Sequence, residues 1–281
     1  MLGIDLANEL RGYYELSGTD LSKNQHLEGK RNRYLSCDIT DRKRIAAVIK
    51  GVRPDIVIHT AAWTDVDGCE SDKKKAYSVN ADGTRNVALA CKAIGATLIY
   101  ISTDFVFDGK KKMPYKESDR AKPLSVYADS KLEGEAAVKK ALKRYFILRT
   151  SWLYGKHGKN FVDTIIIKAK GNKLLKIVDD QVGSPTYAID MARAIKTLID
   201  KRARGFGIYH VTNRGSVSWY EYARAILKIS RMKVRVAPIS SSELARPASR
   251  PAMSVLDTSK FEKATGYKMR NWKSALKGYL N

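Results

Sequence analysis

Short, continuous apolar runs alternate along this chain with longer stretches whose apolar residues recur every three or four positions. DIVIHTAA (55–62), TLIYIS (97–102) and YFILRTS (145–151) are the clearest short runs. Runs of that length without polar alternation suit strands buried on both faces, as in a parallel sheet. YYELSG (13–18) reads as a further strand, followed by a turn at TDLSKNQ. The intervening stretches read as helices. DITDRKRIAAVIKGVRPD has Asp41 as N-cap and Gly51 and Pro54 at its exit. A long helical stretch from Asp72 to Ile94 ends at Gly95, and VYADSKLEGEAAVKKAL (126–142) forms another helix. The opening MLGIDLANEL, with Leu2, Leu6 and Leu10 on one side, starts as an amphipathic helix. This alternation predicts an α/β protein, a doubly wound parallel sheet with helices on both faces.

Beyond Arg149 the pattern loosens. NFVDTIIIKAK reads as a helix, LLKIVDDQ as a strand and SPTYAIDMARAIKTLID as a helix led by Pro185. GIYHVTN reads as a strand, SWYEYARAILKI as a helix capped by Ser218, and PASRPAMSVLD as a proline-punctuated loop with a short strand. The expected division is a first domain of residues 1–150 plus about 187–200, and a smaller C-terminal α/β lobe of 151–186 and 201–281, with no flexible linker between them.

Composition narrows the class. With 281 residues and 44% hydrophobic content, the chain can bury a large core. No apolar run is long enough to cross a bilayer and no leader with a cleavage site opens the chain, so a cytoplasmic protein without a membrane partner is expected. Cys37, Cys69 and Cys91 are odd in number and widely spaced, against both a disulfide framework and a zinc site. His26, His59, His157 and His210 are scattered and read as packing or surface residues, so no metal site is assigned. The net charge of +23 is spread over many short lysine clusters, such as DKKKAY and DGKKKMPYKE. A solvated surface is its first reading and attraction of a small polyanionic substrate its second. Nucleic acid stands well behind, because no basic tail or nucleic-acid module accompanies the charge.

In parallel sheets ligands gather beyond the carboxyl ends of the strands. The run TLIYI ends in Ser102, Thr103 and Asp104. Downstream, Tyr127 and Lys131 in VYADSK are four apart and share a helix face. An ammonium close to a phenol lowers the phenol's pKa, and a tyrosine so tuned can give its proton to a developing alkoxide. Thr103 can hydrogen-bond the same carbonyl oxygen and polarise it. Together the three make an acid catalyst for hydride delivery to a ketone, the hydride coming from a cofactor. Tyr-x-x-x-Lys alone is common on solvent-facing helices; its place after a strand ending in Ser-Thr-Asp is what gives it meaning.

RPDIVIHTAAWTDVDGCE, VNADGTRNVALAC, STDFVFDG, PLSVYADSKLEGE, LRTSWLYG, NFVDTI, DDQVGSPTYAIDMA and PASRP follow one another across essentially the whole chain. In that order they resemble the extended short-chain dehydrogenases/reductases, most closely the dTDP-4-dehydrorhamnose reductase family. The resemblance implies a Rossmann-like domain for NADPH or NADH and a sugar-nucleotide lobe. It implies reduction of the 4-keto group of a dTDP-linked 6-deoxyhexose, dTDP-4-dehydro-L-rhamnose, to dTDP-L-rhamnose. By position Tyr127 would be the proton donor, Lys131 would hold the nicotinamide ribose, and Thr103 would bond the substrate carbonyl. Asp104 would sit against the sugar and Val66 would line the pocket. Trp152 would cover one side of the ring, its other reading being an ordinary core tryptophan. Arg250 in SRP would meet a substrate phosphate, since a guanidinium fits phosphate oxygens bidentately; its other reading is a surface arginine.

On the cofactor side the resemblance points to Asp38 and Ile39 of CDITD, to Ala62, Trp63 and Thr64 of TAAWT, and to Ser102 beside Tyr127 and Lys131. Asp20 is placed for the adenosine ribose and favours NADH, softly, because Ser22 and Lys23 follow. Asn80 matches an asparagine the superfamily places near the site, and equally reads as a helix irregularity. The resemblance also admits a homodimer and a magnesium ion whose ligands the sequence does not place. Family members open with a strand and a GxxGxxG turn that carries pyrophosphate on a helix N-terminus; here only Gly3 remains, preceded by Met1 and Leu2, so a start roughly ten residues late is expected. Unpaired buried backbone groups cost on the order of 1–3 kcal/mol each, so the chain as written is expected to be unstable or inactive. Two further readings stand beside the reductase. One is a non-catalytic regulatory subunit resembling that of methionine adenosyltransferase, disfavoured by Trp152 and PASRP. The other is a 4-keto reductase of another dTDP-deoxysugar.

Overall fold

The computed structural model describes residues 1–21, 32–201 and 205–281; His26, Ser22, Lys23 and the end of the expected TDLSKNQ turn lie outside the described residues. The first half runs α1 (Leu2–Leu10), β1 (Leu16–Asp20), β2 (Asn32–Ser36), α2 (Arg42–Val52), β3 (Ile56–His59), α3 (Val66–Ser71) and α4 (Lys73–Tyr77). A π-helical turn, Ser78–Gly83, then leads into α5 (Thr84–Ile94), β4 (Thr97–Thr103), α6 (Val126–Ala141) and β5 (Tyr145–Thr150). The long helix expected from Asp72 to Ile94 is thus interrupted by that turn.

Strands β3, β4 and β5 lie side by side and parallel, with Ile56 opposite Thr97 and Ile99 opposite Phe146. Side chains alternate across β4. Leu98 and Tyr100 face a core shared with Ile45 of α2, Val87 and Cys91 of α5 and Val138 of α6. Ile99 faces the opposite core, with Leu2, Leu6 and Leu10 of α1. Both faces are therefore covered, which is why these strands carry no polar alternation. The β1–β2 pair is also parallel, Leu16 opposite Asn32, and among the described residues it is not hydrogen-bonded to β3.

The second half runs β6 (Leu153–Tyr154), α7 (Phe161–Gly171), β7 (Leu174–Val178), β8 (Val182–Gly183), β9 (Thr186–Tyr187) and α8 (Ala188–Asp200). It continues through β10 (Gly207–His210), β11 (Val217–Ser218), α9 (Trp219–Ile229), β12 (Arg235–Ile239), α10 (Ser241–Leu244), α11 (Ser259–Thr265) and α12 (Trp272–Leu280). Its own core gathers Tyr154, Val162, Ile165, Leu175, Tyr222 and Leu276. Helix α8 joins the α1 side of the main sheet through Met191, Ile195 and Leu198. Strand β10, grouped with the lobe on sequence, instead pairs with β5, Ile208 opposite Ile147, and extends the main sheet to four strands. Phe261 and Met269 pack on the same side. The C-terminal segment therefore crosses between the two cores. The PASRPAMSVLD segment forms only isolated bridges, Val182 with Met253 and Tyr115 with Leu256.

Local chemistry sets the element ends that frame the site. Asp41 caps α2 by accepting from the Arg44 N–H, Ser125 caps α6 through the Ala128 N–H, and Gly95 closes α5 in the left-handed region at φ 74°. Gly134 lets α6 approach the π-turn. A Cβ there would lie 2.5 Å from Tyr100 Oη and 2.6 Å from the Asn80 carbonyl. Gly134→Ala is accordingly expected to destabilise the protein by about 1–3 kcal/mol despite alanine's better helix propensity, read as a lower urea midpoint at unchanged slope.

Candidate active site

The carboxyl ends of β3, β4 and β5 open toward one side, and the residues singled out on sequence collect there. Where β4 ends, the Thr103 hydroxyl accepts from the Phe105 N–H and donates to Asp104 Oδ1, both at 3.2 Å. Ser151, just past β5, donates to Asp104 Oδ2 at 2.9 Å. Burial raises the Asp104 carboxyl to about 6, while the hydroxyls of Ser254, Ser151 and Thr103 act in the opposite direction. Thr103 and Asp104 are thus one hydrogen-bonded unit fixed from three segments.

Tyr127 lies one residue into α6, buried among Cys69 and Ala76 and edge-on to the Phe105 ring. The Val126 N–H donates to Glu70 Oε1 at 2.8 Å and fastens this helix start to α3. Burial lifts the Tyr127 phenol well above its ordinary value, and the interaction with the Thr103 hydroxyl lowers it only in part. Lys131, one turn on, is almost fully buried. Its Nζ donates to the Ile101 carbonyl at 2.7 Å and rests 4.2 Å from the centre of the Tyr100 ring. Burial lowers it to about 7, and Glu135 opposes that shift. The sequence expectation that Lys131 depresses the phenol's pKa needs correcting here: the ammonium is turned to the β4 backbone and Tyr100, and desolvation dominates the phenol.

Behind Lys131 lies a charged pair that sequence reasoning passed over. Arg149 in β5 forks onto Glu135 of α6, Nε to Oε1 at 2.8 Å and Nη2 to Oε2 at 2.7 Å, both side chains buried. Ser102 donates to the same Oε1 at 2.6 Å, so its hydroxyl is engaged inside the protein rather than presented to a ligand. The available signals were an arginine inside an apolar strand run and a glutamate four residues after Lys131.

The loop after β3 carries Ala62, Trp63 and Thr64. Asn80 clamps it: Oδ1 accepts from the Trp63 N–H at 2.9 Å, and Nδ2 donates to the Trp63 carbonyl and to Ser130 Oγ, each at 3.1 Å. Asn80 thus sits in a helix irregularity and also braces the site, so its two sequence readings coexist. Val66 opens α3. Its neighbour Asp67 receives Arg250 bidentately, Nη1 to Oδ1 at 3.0 Å and Nη2 to Oδ2 at 2.9 Å, with Arg246 at 3.3 Å. Burial would raise the Asp67 carboxyl, but Arg250, the Ala248 N–H and Arg246 outweigh it and hold it below the ordinary value. Arg250 is neither free on the surface nor open to a phosphate while Asp67 holds it. Trp152 is half-buried, with a positive φ of 46°, and its ring stacks on Trp219.

Along the adjoining strand ends, Asp20 closes β1 with an exposed carboxylate that accepts the Leu21 N–H at 2.7 Å. Asp38 accepts the Thr40 N–H at 2.8 Å, and the Ile39 carbonyl receives Asn86 Nδ2 at 3.0 Å. Leu2 turns its side chain into the core, Met1 packs near Gly155, and Gly3 faces Thr60 beyond β3. Among the described residues no side chain caps the start of α1. His59 is buried against Thr84, its Nε2 3.0 Å from Oγ1, and burial lowers it to about 3. Among the described residues no group of three or more His, Cys, Asp or Glu side chains is placed to hold a metal ion, and no helix is long and apolar enough to cross a membrane.

A doubly wound parallel sheet with threonine at the end of β4 and Tyr-x-x-x-Lys on the next helix defines a Rossmann-like protein of the short-chain dehydrogenase/reductase type. Over residues 1–281 the chain matches the family model described as the RmlD substrate binding domain, and it belongs to that family. It is 38% identical to the spore coat polysaccharide biosynthesis protein SpsK of Bacillus subtilis, over 99% of this chain and 93% of that one. It is 42% identical to a dTDP-4-dehydrorhamnose reductase of Mycobacterium tuberculosis, over 85% of this chain and 80% of that one. The crystal structure of dTDP-4-dehydrorhamnose reductase from Bacillus anthracis in complex with NADP superposes with a TM-score of 0.87 at 38% identity, covering 94% of this chain and 97% of that one.

Proposed function

We propose that this chain is an NAD(P)H-dependent reductase that converts the 4-keto group of dTDP-4-dehydro-L-rhamnose to the hydroxyl of dTDP-L-rhamnose, acting in the cytoplasm. The observation that carries the reading is the meeting of Thr103, Tyr127 and Lys131 at the carboxyl end of β4 in a chain of this family. A reduced nicotinamide bound along the ends of β1, β2 and β3 would supply the hydride. Met1, Leu2 and Gly3 would meet its phosphates through the start of α1, Asp20 its ribose, Asp38 and Ile39 its adenine, and Ala62, Trp63, Thr64 and Ser102 its inner half through backbone. Tyr127 Oη gives its proton to the oxygen that becomes negative on C4. Thr103 Oγ1 hydrogen-bonds the same oxygen, and the Lys131 ammonium, held on the Ile101 carbonyl, would meet the nicotinamide ribose. Asp104 and Val66 line the sugar, Trp152 covers one side of it, and Arg250 would meet the substrate's phosphate once it leaves Asp67.

The test is turnover of dTDP-4-dehydro-L-rhamnose, followed by nicotinamide absorbance and product analysis. With Lys131 at about 7, its ammonium is present below that pH and lost above it. The value of kcat/KM is therefore expected to fall as pH rises through about 7, toward tenfold per unit. A folded, cofactor-binding protein that leaves this substrate unreduced overturns the assignment, and reduction of a different dTDP-4-keto sugar alone moves it to that sugar.

A further inference from the structure

We propose that Trp219 is a positioning residue for substrate binding: its indole backs Trp152 and sets the face that Trp152 turns to the sugar. The inference rests on the reductase reading above. The two rings are parallel within 6°, with centroids 3.4 Å apart, although they come from different segments, the link between β5 and β6 and the first turn of α9. Each ring is held separately. Ser218, immediately before Trp219, caps α9 by accepting from the Glu221 N–H at 3.1 Å and also donates to Asp179. Phe161 at the start of α7 packs against the Trp219 ring at 4.3 Å. Trp219 is thus a fixed platform.

Trp152 is the strained partner. Its φ of 46° places a bulky aromatic residue in the left-handed region, an outlier of the kind that persists only where surrounding packing over-determines it and that clusters at ligand clamps. Gly183 supplies the second constraint. A Cβ at Gly183 would come within 2.5 to 2.8 Å of Cε2, Nε1 and Cζ2 of Trp152, so the ring edge lies directly on that backbone. Trp219 covers one face, Tyr222 lies tilted at 6.5 Å and Gly183 seats one edge, while the ring as a whole stays half-buried. The neighbouring residue, Ser151, bonds Asp104 at 2.9 Å, which ties this wall to the Thr103–Asp104 unit. A wall set before substrate arrives lowers the ordering cost of binding.

The experiment compares wild type with Trp219→Leu and Trp219→Phe, measuring KM and kcat with dTDP-4-dehydro-L-rhamnose, Kd for dTDP-L-rhamnose by calorimetry, and Kd for NADPH. Losing an aromatic stacking pair is expected to raise both KM and the sugar-nucleotide Kd about two- to tenfold in Trp219→Leu. The kcat should stay within about twofold and the NADPH Kd should not move, because the lost support serves ground state and transition state of the sugar alike. Trp219→Phe should recover most of the loss. A Trp219→Leu protein with wild-type KM and Kd overturns the proposal, as does one in which cofactor affinity and kcat fall while KM rises, the mark of a general structural defect. Wild-type protein that does not bind dTDP-L-rhamnose at all overturns the reductase reading itself and this inference with it.

Discussion

Replacing Tyr127 by Phe is expected to lower kcat for keto-sugar reduction by about 10²–10⁴, the usual contribution of a positioned general acid. The substitution removes a single oxygen from a side chain already packed among Cys69, Ala76 and Phe105. The ring, the Ser125 cap and the Glu70 contact that fix the start of α6 remain. Folding and nicotinamide affinity should therefore stay near wild type, and the loss should fall on kcat rather than KM. Burial keeps the phenol protonated throughout the neutral range, since its pKa lies well above the ordinary value. The alkaline decline of kcat/KM in the wild type thus belongs to Lys131, not to Tyr127. Thr103→Val should cost less than Tyr127→Phe, because Thr103 contributes a hydrogen bond but no transferred proton. A Tyr127→Phe enzyme that keeps more than about a tenth of wild-type kcat would remove Tyr127 from the role of proton donor.

The strands of this fold announce themselves because burial on both faces leaves their middles, LIYI and IVI, continuously apolar, and their pairing follows from strand–helix alternation. What the chain conceals is whatever depends on a three-dimensional neighbour. The π-turn at 78–83, SVNADG, shows in the sequence only as the ambiguous place of Asn80; the close approach of Gly134 to the Asn80 carbonyl comes from a distant segment. Strand β10 lies far from β5 in sequence, so its place in the main sheet cannot be read from its own short apolar run. In the site, Thr103, Tyr127 and Lys131 were legible because their spacing and strand-end position are local. The direction of the Lys131 ammonium was not, because it depends on the Ile101 carbonyl and the Tyr100 face. The engagement of Arg250 by Asp67 was equally hidden, since residues so distant in sequence carry no joint signal. The stacking of Trp152 on Trp219 was hidden for the same reason, the two being far apart in sequence.

Glu135→Gln is expected to destabilise the protein by about 3–5 kcal/mol, the cost of leaving a buried partner charge uncompensated. Arg149 is 3% exposed, and both of its bonds to a carboxylate end on Glu135. Its remaining Nη1 already has no hydrogen-bond partner among the described residues, so no local acceptor stands ready to replace the lost charge. Against a total stability of roughly 5–15 kcal/mol, the loss is large enough to bring the urea midpoint down by about a fifth or more. Removing the cation as well, in Glu135→Gln with Arg149→Met, should recover most of it, because the penalty arises from the orphaned charge rather than from the missing attraction. Catalysis should respond in a separable way. Glu135 holds the Lys131 ammonium against desolvation, so neutralising it lowers the Lys131 pKa further below about 7. The ammonium is then lost at lower pH, and the alkaline limb of kcat/KM should move to more acidic values in both the single and the double variant. Recovery of stability in the double variant without recovery of the pH profile would show that the pair holds the fold through Arg149 and serves the chemistry through Lys131. A single variant of near wild-type midpoint with an unmoved profile would remove both roles from Glu135.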